Sequence, residues 1–263
     1  MKEGRFSKLE KSNPAAPPSA PVQPEPAHDV QSSSDYPTFL LLADEAYFSG
    51  NFRDALRHYS RALQQENAQV YPWIGQISSL LALKQYKEAE LWSTRALEQF
   101  PEDPSLLSQR ARVLAATGNL KRALGVSDYA ISHGATTWTW LARGEVLLEA
   151  GDTNALFCFE KAAELTGDED WRIPLLAGLC FARKRQWASA EDFLRRATVK
   201  NPKSAFAWYE LARVLLETGQ TDRAVDAVGR SEQLNPAFRP ARELRERIYK
   251  QPFLKRLFAF FRR

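Results

Sequence analysis

Three histidines, two cysteines and a few closely spaced carboxylates are the side chains of this 263-residue sequence with the chemistry to ligate or cleave. Their spacing supports neither. A transition-metal site needs ligands that converge, as two residues four apart on a helix or as Cys-x-x-Cys pairs. His28, His58 and His133 are far apart, and Cys158 and Cys180 sit in separate apolar stretches. There is no HExxH, no phosphate-binding glycine loop and no GxSxG elbow. Glu145 and Glu149 are four apart and share a helix face, the one arrangement open to acid–base work. Glutamates at that spacing ordinarily solvate an outer surface, and that is the expectation for both. The chain reads as a non-enzyme with no cofactor and no metal. Two cysteines do not make a disulfide framework, so a reducing, cytoplasmic setting is expected.

The other chemistry-bearing stretch is the C-terminus. Between Arg239 and Arg263 there are nine Lys or Arg against Glu243 and Glu246 alone, a net charge of +7. Residues 1–35 carry four cations and five anions, so the intervening sequence is close to neutral within a total of +4. At the very end, Phe253, Leu254, Leu257, Phe258 and Phe261 fall on one side of a helix, and Lys255, Arg256, Arg262 and Arg263 mostly on the other. Apolar aromatics opposite cations is the composition of a helix that lies in a lipid interface or docks on a partner. Packing back on the preceding chain is the third option. Thirteen residues cannot span a bilayer, which needs about 20, so attachment to an anionic membrane surface through 251–263 would be peripheral.

The elements behind these groups announce themselves through small residues. Ala55, Ala89, Ala123, Ala155, Ala190 and Ala224 recur about every 34 positions. Seven residues behind each stand Ala62, Ala96, Ala130, Ala162, Ala197 and Ser231. A third series, Ala43, Ala111, Gly144, Gly178 and Ala212, is broken only by Ile77. A fixed period of this length signals one supersecondary unit copied along the chain, each copy too small to bury its own core. Apolar residues recur at three- and four-residue steps, as in Leu211, Val214 and Leu215, so the unit is helical. Breakers at Ser49-Gly50-Asn51, Thr117-Gly118-Asn119, Gly151-Asp152 and Gly219-Gln220 divide each unit into two helices. Ahead of the first unit, seven prolines between Pro14 and Pro37 and the Ser32-Ser33-Ser34 run predict a disordered linker, with no secretory leader before it.

Trp73, Ile77, Leu80, Tyr86, Ala89, Ala96, Leu97 and Pro101 in one unit, and Trp208, Leu211, Ala212, Leu215, Gly219, Ala224 and Pro236 in another, resemble the tetratricopeptide repeat. The resemblance implies an all-α, right-handed superhelical solenoid of six hairpins at 36–69, 70–103, 104–136, 137–170, 171–204 and 205–238. A capping helix at 239–250 would follow, with 1–35 and the 251–263 tail outside the repeats. In this family a fixed set of positions along each first helix lines a concave groove. Carried over by register, those positions include Tyr47, Tyr71, Ile74, Arg112, Trp138, Leu141, Arg172, Leu175, Leu179, Arg183, Tyr209 and Arg213, together with Asp44, Ser78, Glu145 and Phe206. Aromatic and aliphatic anchors interspersed with arginines suit a peptide or helix of a partner protein. Relatives that clamp a terminal carboxylate carry Lys, Asn and Arg where this chain has Leu40, Asp44 and Gly75, so that clamp is missing. The expected function is a protein-interaction scaffold or adaptor. The alternatives are a nucleic-acid-binding helical repeat, disfavoured by the near-neutral repeat region, and a regulatory subunit of an enzyme complex.

Overall fold

Alternating helices and left-handed turns organise the computed structural model, which describes residues 35–167 and 169–250. Thirteen helices and no strand occur among them: α1 Tyr36–Phe48, α2 Phe52–Gln65, α3 Val70–Ala82, α4 Tyr86–Gln99, α5 Pro104–Ala116, α6 Leu120–His133, α7 Thr137–Ala150, α8 Ala155–Thr166, α9 Arg172–Arg183, α10 Trp187–Lys200, α11 Ala205–Glu217, α12 Thr221–Leu234 and α13 Arg239–Lys250. Successive helices pair as six hairpins, and α13 packs on α12 and α11. The fold is an all-α repeat solenoid. The proline-rich N-terminal linker and the 251–263 tail lie outside the described residues.

Local chemistry starts and stops these helices. Asp103 and Ser204 accept the N–H of the residue three ahead, and Thr136 forms a reciprocal capping box with Thr139. Each hairpin turn closes with the same bond, from the residue after the turn to a carbonyl five back: Asn51 to Ala46, Gln85 to Leu80, Asn119 to Leu114, Asp152 to Leu147, Gln186 to Phe181 and Gln220 to Leu215, at 2.8–3.0 Å. The residue before each of these donors has positive φ. It is glycine in four hairpins but Lys84 (φ 60°) in the second and Arg185 (φ 57°) in the fifth. The sequence patterns located only the glycine turns, because Lys and Arg carry no turn signal.

The small-residue rails are contact lines between helices. Every residue of the two alanine rails is at most 1% exposed. Ser231, the exception in the second, donates its hydroxyl to the Ala205 carbonyl at 2.7 Å, so its polar atom is satisfied where a methyl would otherwise sit. The third rail exchanges volume with the facing helix. A β-carbon on Gly144 would lie 2.9 Å from the Phe159 ring, and one on Gly178 would lie 2.6 Å from Leu194. In the second hairpin the bulk is on the other side: the rail holds Ile77, and the register equivalent of Phe159 and Leu194 is Ser93, both fully buried. The pair keeps roughly constant volume, which is what close packing demands.

One feature of the core departs from a nearest-neighbour stack. The second and third hairpins have their own apolar clusters, around Ile77 and Leu106 and around Ala111 and Leu114. Ala43, Tyr47, Ala55 and Tyr59 of the first hairpin instead share one cluster with the last three hairpins and with Ile248 of α13. The solenoid therefore curls until its first hairpin meets its last.

Candidate functional site

The meeting point is the turn between α1 and α2, a Tyr47-Phe48-Ser49-Gly50-Asn51-Phe52 run. Tyr47 is buried, with the Phe48 and Phe52 rings edge-on to it at 5.2 and 5.3 Å. Across the groove, Phe48 meets Trp171 at 5.7 Å and Phe52 meets Phe206 at 6.2 Å. The Arg172 guanidinium sits 5.3 Å over the Phe48 ring. Gly50 backs onto Phe206 so closely that a β-carbon would be 2.6 Å from the ring. Four aromatic rings and a cation–π contact thus close the concave side between the first hairpin and the last two.

Behind that closure lies a cavity of about 460 Å³, within the size range of ligand pockets. Phe52, Leu176, Leu179 and Phe206 form its apolar wall, and Ser78, Lys84, Tyr86, Arg112, Glu145, Glu149, Arg183, Lys184 and Glu210 supply polar groups. Arg112 pairs with Glu145 at 2.9 Å and also donates to Ser78 (2.9 Å) and Gln109 (2.7 Å). Arg183 and Lys184 reach Glu149 at 3.2 and 2.7 Å, and Arg183 lies 3.8 Å from Glu145. Glu145 is thus not a solvating surface carboxylate, as its spacing had implied, but a 7%-exposed group with two guanidinium neighbours. Burial raises its pKa, and Arg112 and Arg183 more than reverse that, so the carboxyl titrates below its ordinary value. Cys180 is hydrogen-bonded to it, and burial together with the Glu145 charge pushes the thiol far up, leaving it inert.

Twelve residues were expected to line one open groove; the structure distributes them over several environments. Tyr47, Arg112, Leu179 and Arg183 line the cavity. Tyr71, Ile74, Trp138 and Leu141 gather with Tyr47 and Arg112 around a second, narrower recess of about 30 Å³. There the Tyr71 and Tyr59 hydroxyls both donate to Asp44, at 2.7 and 2.5 Å. Ile74 and Leu141 are 6% and 2% exposed, so they form its floor. Leu175, at 1%, belongs to the core and presents nothing to the groove. Arg172 is spent on Phe48. Tyr209 packs edge-on to Phe238 at 5.3 Å, and Arg213 pairs with Glu210. Register alone missed Phe48, Phe52, Lys84, Tyr86 and Lys184. The available clue was the α1–α2 turn itself, whose six residues from Tyr47 to Phe52 carry three aromatics where the equivalent stretch of every other hairpin carries at most one.

Glu210 stands out electrostatically. It is 5% exposed, and burial lifts its carboxyl to about 6 against the pull of Arg213. A carboxyl whose folded pKa exceeds its unfolded one binds more protons in the native state, so its ionisation destabilises the fold as pH rises from about 4.5 to 6. Glu210→Gln is therefore expected to gain about 1–2 kcal/mol at pH 7 relative to wild type and nothing at pH 4. Chemical denaturation at both pH values checks it; a gain that persists unchanged at pH 4 would contradict it.

No group of three or more His, Cys, Asp or Glu side chains suited to a metal occurs among the described residues. No helix among them is long and apolar enough to cross a membrane.

Comparison with known proteins gives the same repeat. The tetratricopeptide-repeat family matches residues 40–104, and the family of anaphase-promoting complex (cyclosome) subunit 3 matches 152–231. Among solved structures, the Cut9–Hcn1 hetero-tetramer of the APC/C is similar at 16% identity and a TM-score of 0.51, over 82% of this chain and 46% of that one. YrrB, described as a TPR protein with an unusual peptide-binding site, aligns at 18% identity and a TM-score of 0.43, over 72% of this chain and 97% of its own. A tetratricopeptide-repeat protein from Parabacteroides merdae aligns at 15% and 0.48, over 87% and 91%. No curated protein matches the chain. With the repeat register, the six like turns and these family matches in agreement, the chain belongs to the tetratricopeptide-repeat proteins.

Proposed function

We propose that this protein is a non-catalytic interaction scaffold that receives part of a partner protein in the cavity on its concave side. The observation that supports this most is the cavity itself: an apolar wall of Phe52, Leu176, Leu179 and Phe206 faced by charged groups, on a fold with no catalytic constellation among the described residues. Apolar anchors in a desolvated recess with polar groups at its rim are the anatomy of a hot spot. Because the first hairpin closes the groove, the partner enters as a short anchor rather than as a long strand laid along all six repeats.

Leu179 is the position for the test, since it is partly exposed and lines the cavity. A photo-crosslinking amino acid placed there in living cells identifies the bound protein, which is then purified and titrated. Leu179→Glu is expected to weaken that complex by tenfold or more, matching the ~2 kcal/mol of a hot-spot side chain, with helicity unchanged. Full affinity in the variant would move the site elsewhere.

A further inference from the structure

The charged groups on the cavity wall do not balance. Arg112 is matched by Glu145, and Glu210 by Arg213. Arg183 and Lys184 share Glu149, Arg183 lies a further 3.8 Å from Glu145, and Lys84 makes no ion pair among the described residues. The wall thus carries four cations against three carboxylates, and Lys84 is the unpaired one, at the edge of a recess whose floor is Leu176 and Leu179. The backbone at Lys84 adds a second observation. It holds φ 60°, where four of the six equivalent turns use glycine to avoid the β-carbon penalty. Arg185 has the same geometry but does not line the cavity, which makes it the natural control.

We propose that the cavity selects a short acidic segment of its partner, seating one apolar side chain against Leu176 and Leu179 and its carboxylates at Lys84, Arg183 and Lys184. The inference rests on the groove reading above and adds the chemistry of the ligand. A net excess of one sign of charge around a partly desolvated recess raises the on-rate of an opposite ligand and disfavours the wrong one. The closed groove and the volume of about 460 Å³ limit the occupant to a few residues.

Two fluorescein-labelled peptides, Glu-Asp-Leu-Phe-Glu-Asp and Lys-Lys-Leu-Phe-Lys-Lys, titrated against the intact chain by fluorescence polarisation test the idea. The acidic peptide is expected to bind at least about tenfold more tightly at low salt, the difference shrinking as salt screens it. Lys84→Gly should weaken it by about three- to tenfold while raising the melting temperature, because the strained turn relaxes. Arg185→Gly should raise the melting temperature and leave binding unchanged. Loss of binding together with gain of stability cannot come from misfolding. Equal affinity for the two peptides, an unaffected Lys84→Gly variant, or no binding of either peptide overturns the acidic selectivity. In each of those cases a Leu179→Glu effect on the crosslinked partner keeps the groove reading alive, and its absence removes that too.

Discussion

Phe206→Ala is expected to cost about 3–5 kcal/mol and to expand the molecule in solution. Its ring is 7% exposed and lies 6.2 Å from Phe52, 6.4 Å from Phe238 and 6.4 Å from Tyr209, with the Gly50 backbone against its edge. Truncation to alanine removes the transfer energy of a buried aromatic and leaves a void that the surrounding helices fill only in part. Phe206 also joins the first hairpin to the last, so its loss releases the closure and should increase the radius of gyration measured by small-angle scattering. Phe52→Ala isolates the cross-groove component, since Phe52 touches Phe206 from the α2 side and is only partly buried. A double-mutant cycle between the two should return a coupling of about 0.5–1.5 kcal/mol, the range for aromatic pairs. Zero coupling together with an unchanged radius would show that the closure is held elsewhere.

Arg112→Ala should be comparably damaging, for an electrostatic reason. Arg112 and Glu145 have side chains 11% and 10% exposed, and the pair is completed by Ser78 and Gln109. Removing the guanidinium leaves a buried carboxylate with only the Cys180 thiol and the more distant Arg183, at 3.8 Å, to stabilise its charge. Breaking a buried pair in this way typically costs about 3–5 kcal/mol, whereas replacing both partners with apolar groups of similar size is often neutral. Arg112→Met combined with Glu145→Leu is therefore expected to recover most of the loss. The two variants also differ in pH response. Glu145 titrates below its ordinary value, so its contribution is full above the unfolded carboxylate pKa and declines as pH falls through the folded one. The double variant lacks that acid-side decline. If Arg112→Ala were no worse than Arg112→Met with Glu145→Leu, the pair would not be acting as a buried salt bridge.

The hairpins were legible because their determinants are local. An apolar stripe of period 3.6, a capping side chain and a turn residue act within a few positions of one another, and the alanine rails report contact with the adjacent helix only. Even the exceptions have local accounts: Ser231 bonds the Ala205 carbonyl, and Ile77 is matched by Ser93. Lys84 and Arg185 were invisible as turn residues because nothing in their type foretells a left-handed backbone. The site was only half legible. Register indicated which side chains point inward, and Tyr47, Arg112, Leu179 and Arg183 do reach the cavity. It could not tell a free arginine from a neutralised one, because the counter-charges come from other repeats: Glu145 stands 33 positions beyond Arg112, and Glu149 stands 34 before Arg183.

Sequence by itself determined the repeat, its two-helix unit and its core rails. Tertiary structure decided the curvature, and with it the site. Each repeat is rotated slightly against the next, so the position of the first hairpin relative to the last is a sum of many small rotations that no local pattern encodes. That sum brings Phe48 and Phe52 onto Trp171 and Phe206, more than 120 residues away, and turns a continuous groove into a short, partly open cavity with a net positive wall.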